Sequence, residues 1–425
     1  MELPKLGPRP ILTLLFAYCS GYALLSVYRL AYNYRLQCFR CITVSDTEEG
    51  TLPKTAATQK TRSKSVGSAT NGSKATTVET KRDLKAVVDL MKAEYDKRRS
   101  SQIESIKRTD RKLLREMLYL MVLGRRFEEK CAEVYRMGKI GGFCHLYIGQ
   151  EAIGVGTMTA LEPTDMVITS YRDHVQAMIK GISPEAVMAE LYGKEGGCVG
   201  GKGGSMHMFS KEHEFYGGHG IVGGQIGVGT GMAYASKYRN SGQVVVCFFG
   251  EAAVNQGIFH ESLNMAQLWG LPIIYVCENN QYGMGTSQER AMSTQNVAKK
   301  AESYEMANEF VDGMDVMAVR DAMLRAIDRA RNESQPTLLE VRSYRFMGHS
   351  MSDPGNYRTR DEIAKYQERD PISLFKDSLK VAKVLTDKDF DAIEKEAAAS
   401  TERAVKFADE SPFPSESQLL TDVYA

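Results

Sequence analysis

Between Thr109 and Arg136 apolar residues fall on one helical face (Leu113, Leu114, Met117, Leu120, Met121, Val122 and Phe127), with Thr109 placed to cap the start of the helix. Beyond Ile140 the texture changes. The runs MVITS, VVVCFF, PIIYVC and TLLEVRSY are strand-like, and the stretches between them carry helical periodicity. Unbroken apolar strands alternating with helices predict an α/β fold: a parallel sheet with helices on both faces. In such a sheet chemistry gathers at the carboxyl ends of the strands. VVVCFF ends there in Gly250, Glu251 and Ala252.

The first eighty residues have a different pattern. Residues 11–28 are uncharged, at the threshold length for a membrane span, and are flanked by Lys5, Arg9, Arg29, Arg35 and Arg40. The segment 1–44 is open to three readings: a signal anchor, an organellar transit peptide, or an upstream extension from a misplaced start codon, which is favoured over membrane association. Residues 45–80 are rich in Ser, Thr, Lys, Ala and Gly and cannot bury a core, so a disordered linker is expected before one folded domain over 81–425.

Composition narrows the function. The chain has 425 residues, 43% hydrophobic and 25% charged, with a net charge of +1. Its basic excess is confined to the N-terminal region, which argues against nucleic-acid binding. Eight scattered cysteines, two of them (Cys247 and Cys277) inside apolar runs, suit a reducing compartment. Cys38 and Cys41 form a lone CxxC and read as unpaired thiols of a tail.

Two glycine-rich segments invite a phosphate. Gly196 to Lys202 matches G-x-x-x-x-G-K, but Gly203 stands where Ser or Thr should meet magnesium, and the preceding segment reads as helix. Gly217 to Ala233 offers Gly227, Gly229 and Gly231 at a spacing foreign to the dinucleotide fingerprint, with no strand read before it. Close helix packing is the alternative there, although amides at a helix start could still meet a diphosphate. His207, His213 and His219 are too widely spaced for zinc.

Glu251 and the Asn279-Asn280 pair end successive predicted strands, so adjacent parallel strands would set a carboxylate and a carboxamide side by side. Magnesium favours such oxygen ligands. The alternative is an acid capping a helix that starts near Asn255, followed by an ordinary Asn-Asn turn.

With that pair the words GGFCHLYIGQEA, SYRDH, GGKGGSMHMF, YGGHGIVGGQ, ENNQYGMGTS and YRFMGHSMSDP occur in order. Together they resemble the thiamine-diphosphate-dependent 2-oxoacid dehydrogenases, and among them the pyruvate dehydrogenase alpha subunits, over residues 109–425. The resemblance implies a thiamine-diphosphate-binding fold. It also implies magnesium held by Glu251, Asn280 and the carbonyl of Tyr282. It places Tyr171 and Arg172 on the phosphates, and Gly220 and Val222 at the aminopyrimidine. Phe143, Ala252 and Ala253 join the cofactor-binding residues, and His145 and His349 stand at the active-site entrance as catalytic candidates. For all these positions plain loop structure is the alternative.

The implied reaction is oxidative decarboxylation of pyruvate with acetyl transfer to the lipoyl domains of a dihydrolipoyl acetyltransferase. It requires a separate beta subunit in an alpha2-beta2 heterotetramer, since the activating glutamate lies on that subunit. Branched-chain 2-oxoacid or acetoin dehydrogenase, and a noncatalytic assembly subunit, are the alternatives. The ending LLTDVYA is similar to bacterial members, which implies a cytoplasmic location, or the mitochondrial matrix if residues 1–44 are a transit peptide. Ser287 and Ser350 match phosphorylation positions of mitochondrial relatives, with no regulatory role inferred. Two departures stand out: the family usually has Asp and Gly where this chain has Glu251 and Ala252. The longer acid must shift its rotamer or the strand end to reach a metal. Ala252 would cost about 1–2 kcal/mol if its backbone had to be left-handed.

Overall fold

The computed structural model describes residues 97–422, all within the second of two units, Thr80–Ala425. The hydrophobic segment 1–44, its Cys38–Cys41 pair and the linker 45–80 lie outside the described residues. No helix among the described residues is long and apolar enough to cross a membrane.

Helix α1 (Arg111–Arg136) is followed by α2 (Glu151–Met158), β1 (Met166–Ser170), α3 (His174–Ile179) and α4 (Pro184–Leu191). Then come β2 (Phe215–His219), α5 (Gly224–Arg239), β3 (Val245–Gly250), α6 (Gly257–Trp269) and β4 (Ile273–Asn279). A two-residue ribbon of β5 (Tyr282–Gly283) and β6 (Thr286–Ser287) and the short α7 (Gln288–Ala291) lead to β7 (Ala307–Asp312), α8 (Val316–Glu333) and β8 (Thr337–Arg342). Helices α9 (Arg360–Gln367), α10 (Pro371–Val381) and α11 (Asp387–Glu410) complete the fold.

Six strands form one sheet in the order β2-β1-β3-β4-β8-β7, every pairing parallel. The apolar runs are unbroken because both faces are covered. Val246 and Phe248 of β3 enter one core cluster, while Val245, Cys247 and Phe249 enter the other. Burial of these chains from both sides supplies roughly 25 cal/mol per Å² of apolar surface removed from water. Cys247 and Cys277 lie fully buried in the second cluster as small apolar side chains.

Three local readings need correction. Asp110 caps α1, its Oδ2 accepting from Leu113 N at 3.1 Å, while Thr109 closes the preceding helical turn by donating from Oγ1 to Ser105 O at 2.9 Å. A strand does precede the second glycine segment: β2 carries the sequence FYGGH, whose paired glycines hide it from an apolar-run criterion. Helix α6 begins at Gly257, and Glu251 opens a separate 3-10 turn, Glu251–Asn255, in which its side chain makes no capping bond.

Candidate active site at the carboxyl edge of the sheet

Register pairs Gly250 with Glu278 across β3 and β4, so Glu251 and Asn280 leave adjacent strand ends together. They line a cavity of about 340 Å³ with Gln150, Tyr171, Arg172, Val222, Ala252, Ala253, Tyr282, Arg345 and His349, among others. Gly223, at φ 84°, turns the chain into α5 and also lines this cavity, so the amino end of a sixteen-residue helix opens onto it.

Glu251 is 2% exposed and its Oε1 has no hydrogen-bond partner. Burial pushes its carboxyl up to about 7, against weaker stabilisation of the anion by its own backbone N–H, by Arg345, by the backbone N–H of Asn280 and by Arg172. A second buried carboxylate, Glu278, also lines the cavity. Burial raises it to about 8, while it accepts hydrogen bonds from Tyr147 Oη and from Gln176 Nε2. Sequence reasoning missed Glu278, although its place one residue before the paired asparagines was the available signal.

Two guanidiniums sit in the same cavity without a carboxylate in hydrogen-bond contact. Arg172 donates to Leu146 O at 2.6 Å and His349 O at 2.7 Å, so part of its fork ties two loops together, and burial lowers it to about 10. Arg345 donates to Tyr282 O at 3.0 Å and Met284 O at 3.1 Å. It was not singled out, because an arginine at a strand's end carries no sequence signal of its partners.

His145, Tyr171 and His349 cluster, with the two imidazoles 5.1 Å apart and Tyr171 4.5 Å from His145 between ring centroids. Both histidines have a buried Nδ1 without a partner. Burial, reinforced by Arg172, lowers His145 to about 2 and His349 to about 3, so both are neutral imidazoles at physiological pH. Phe143 is 62% exposed, its ring 6.3 Å from that of His145. Gly220 packs instead near Met206 and His207, where an added Cβ would come within 3.1 Å of Met206 Cε. Phe143, His145 and Gly220 are outside the lining of the cavity proper.

Ala252 is not left-handed, so the backbone cost considered for it does not arise. Its methyl packs against Gly283, where an added Cβ would lie 2.6 Å away. The left-handed non-glycine residues of this region are Gln281 (φ 78°) and Met284 (φ 52°).

The phosphate-loop-like segment behaves otherwise. Glu190 of α4 is fully buried and accepts four backbone N–H bonds from the loop, from Val199, Gly201, Gly203 and Gly204 at 2.7–3.0 Å. Gly197 is required there, since a Cβ would meet Glu190 Oε2 at 2.3 Å. Lys202 pairs with Asp422 at 2.6 Å. Of the three periodic histidines, His207 contacts Gly218 O and His213 contacts Ser210 Oγ. Among the described residues one metal-compatible group occurs, Glu128, Cys131 and His174. Both ring nitrogens of His174 are already engaged, by Glu128 and Ser205, so the group is a buried hydrogen-bonded cluster.

Comparison with known proteins shows the family. Residues 119–417 match the model of the dehydrogenase E1 component. The chain is 47% identical over 304 residues to the pyruvate dehydrogenase E1 component subunit alpha of Rickettsia felis, covering 72% of this chain and 93% of that one. It is 49% identical over 321 residues to the Rhizobium meliloti subunit of the same name, covering 75% and 91%. To the chloroplastic alpha-3 subunit of Arabidopsis thaliana it is 48% identical over 311 residues, covering 72% and 73%. The chain belongs to the dehydrogenase E1 component family.

Proposed function

We propose that this chain is the alpha subunit of a thiamine-diphosphate-dependent pyruvate dehydrogenase. With a beta subunit it decarboxylates pyruvate oxidatively and passes the acetyl group to lipoyl groups of a dihydrolipoyl acetyltransferase. The observation that carries the reading is the unpartnered, buried Oε1 of Glu251 beside Asn280 and Tyr282, in a cavity that also holds two guanidiniums. A buried carboxylate oxygen without a donor is costly, and a cation satisfies it. Asn280 Oδ1 takes only two long contacts, from Arg345 Nη1 and Tyr282 N at 3.4 Å each, which a metal ion at that oxygen would displace, and the Tyr282 carbonyl beside it is a second oxygen ligand of the kind magnesium takes. The residues therefore fit magnesium and a diphosphate.

In this reading Glu251, Asn280 Oδ1 and Tyr282 O hold magnesium, while Tyr171, Arg172 and the amino end of α5 face the phosphates. Val222, on the lining, borders the aminopyrimidine, with Gly220 just outside the cavity. When bound, thiamine diphosphate supplies a nucleophilic carbon and an electron sink for loss of carbon dioxide. His145 and His349, neutral because they are buried beside Arg172, offer ring nitrogens to orient substrate and to hold or donate a proton at the entrance.

Exposed apolar side chains support a partner subunit. Val222 and Met284 on the cavity lining and the adjacent Ile221 are 42%, 66% and 78% exposed. A groove of about 850 Å³ between α5 and α6 is lined by Tyr234, Tyr238, Met265 and Trp269. Such surfaces suit an alpha2-beta2 assembly. The bacterial relatives favour a cytoplasmic setting, with the mitochondrial matrix as the alternative should residues 1–44 direct import.

The test is carbon dioxide release and lipoyl acetylation from pyruvate by the full chain co-produced with its beta subunit. Activity is expected to need both subunits, thiamine diphosphate and magnesium. A well-folded complex that neither binds cofactor nor turns over would instead mean a noncatalytic assembly subunit. Faster turnover of branched-chain 2-oxoacids or acetoin would reassign the substrate.

A further inference from the structure

Gln150 stands at the cap position before α2, yet its side chain makes no capping bond there. The side chain is fully buried and meets a residue 130 positions away: Asn280 Nδ2 donates to Gln150 Oε1 at 2.7 Å. Gln150 Nε2 is left buried without a partner. An orphaned buried donor costs about 1–3 kcal/mol, so stability alone would not select this pairing.

The two amides have one consistent orientation. Asn280 Oδ1 faces Tyr282 N and Arg345 Nη1 at 3.4 Å each, and both of those groups can only donate. Turned over, Asn280 would set its NH2 against them. With Oδ1 on that side Nδ2 needs an acceptor, and Gln150 Oε1 is that acceptor. The turn that presents Gln150 is itself held on both sides. Glu151 accepts from Gly149 N at 3.0 Å and from Arg125 Nε at 2.5 Å, and Arg125 also reaches Asp370 at 2.8 Å. Gly149, at φ 95°, lies so close to Tyr344 that an added Cβ would meet its carbonyl oxygen at 2.3 Å.

A carboxamide meets magnesium through its oxygen, so an Asn280 free to turn would offer the cation its NH2 part of the time. We propose that Gln150 is a positioning residue for the cation site. By accepting from Nδ2 it keeps Oδ1 as the end of Asn280 that is available to the metal. The proposal rests on the functional reading above for Asn280 as a ligand, and on the hydrogen-bond geometry alone for the orientation. Gln150 acts through Asn280 and need not touch the metal.

The test uses the full chain co-produced with its beta subunit. Electron paramagnetic resonance reads Mn²⁺ affinity in the presence of thiamine diphosphate, and water-proton relaxation reads the water bound to the ion. Gln150→Met, close to glutamine in length but only a weak acceptor, should weaken Mn²⁺ binding about tenfold to hundredfold. It should also add a water to the ion in place of Oδ1. In the Asn280→Asp background the same substitution should change affinity by less than about threefold, because a carboxylate has no nitrogen to turn toward the metal. A merely structural role would weaken both backgrounds alike, and that outcome overturns the proposal. So does unchanged hydration of the ion, or an affinity of Gln150→Met within about twofold of the parent. If Gln150→Met does not fold, Gln150→Asn, whose amide is one carbon short of Asn280, is judged by the same criteria. A parent that binds no Mn²⁺ overturns the functional reading and this inference with it, whereas a parent that binds beside an unaffected variant overturns the inference alone.

Discussion

Glu190 and Glu251 are both buried acids beside glycine-rich chain, and the protein treats them in opposite ways. Glu190 is wrapped by four backbone N–H donors, so a loop built like a phosphate cradle is filled by the protein's own carboxylate. Glu251 keeps an oxygen without a partner, at a strand end shared with Arg172 and Arg345. Glycine content marks both places, and unsatisfied charge marks only one. An internally completed cradle stabilises, whereas an incomplete one costs stability and is the better sign of a ligand.

The sharpest way to break this contrast is to exchange each carboxylate for an amide. Glu190→Gln puts an NH2 group against N–H donors, and should lower the unfolding free energy by about 3 kcal/mol or more, read from urea denaturation of the assembled protein. If stability is unchanged, the cradle is not what holds the loop. Glu251→Gln should leave the ligand-free protein as stable as the parent or more so at pH 8. Mn²⁺ affinity should fall about hundredfold, close to 2.7 kcal/mol. Glu251→Asp, the family's usual acid, should tighten binding by less than about tenfold; weaker binding would mean the site is built around the longer side chain.

Acidity gives a smaller, signed effect. Burial lifts the Glu251 carboxyl to about 7 from an ordinary 4.5, so between those values the folded ligand-free protein keeps a proton that the unfolded chain has lost. Its contribution to stability is therefore present at low pH and declines as pH rises through that window. His145 and His349, lowered from 6.5 to about 2 and 3, act oppositely: their contribution is present above 6.5 and is lost as pH falls. The quantity to measure is the difference between the parent and Glu251→Gln, which should isolate the carboxyl. Metal affinity should fall below pH 7 by at most about tenfold per unit, because the ligand must be deprotonated.

The smallest effects test the Ala252 position. Ala252→Gly should cost no more than about 0.5–1 kcal/mol and leave metal affinity unaltered, since that backbone is not left-handed. Gly283→Ala, which would set two methyl carbons 2.6 Å apart, should cost about 1–3 kcal/mol by thermal denaturation.

What could be read along the chain was whatever depends on neighbours in sequence. Unbroken runs such as Val245–Phe249 imply a sheet covered on both faces, and an acid and an asparagine ending successive strands imply a shared edge. Both follow from the fixed alternation of a strand and the short span of its loops. Those features determined the fold class and placed Glu251 and Asn280. Strand β2 escaped because its paired glycines carry no apolar signal, and the cap of α1 because Thr109 and Asp110 are both good caps. Only the tertiary structure decided the partners: Glu190 for its own glycine loop, Glu278 for Tyr147, and Arg345 for the carbonyls of Tyr282 and Met284. A carbonyl has no residue identity, and a charge gains or lacks a partner only once distant segments meet, so these contacts leave no trace in the order of amino acids.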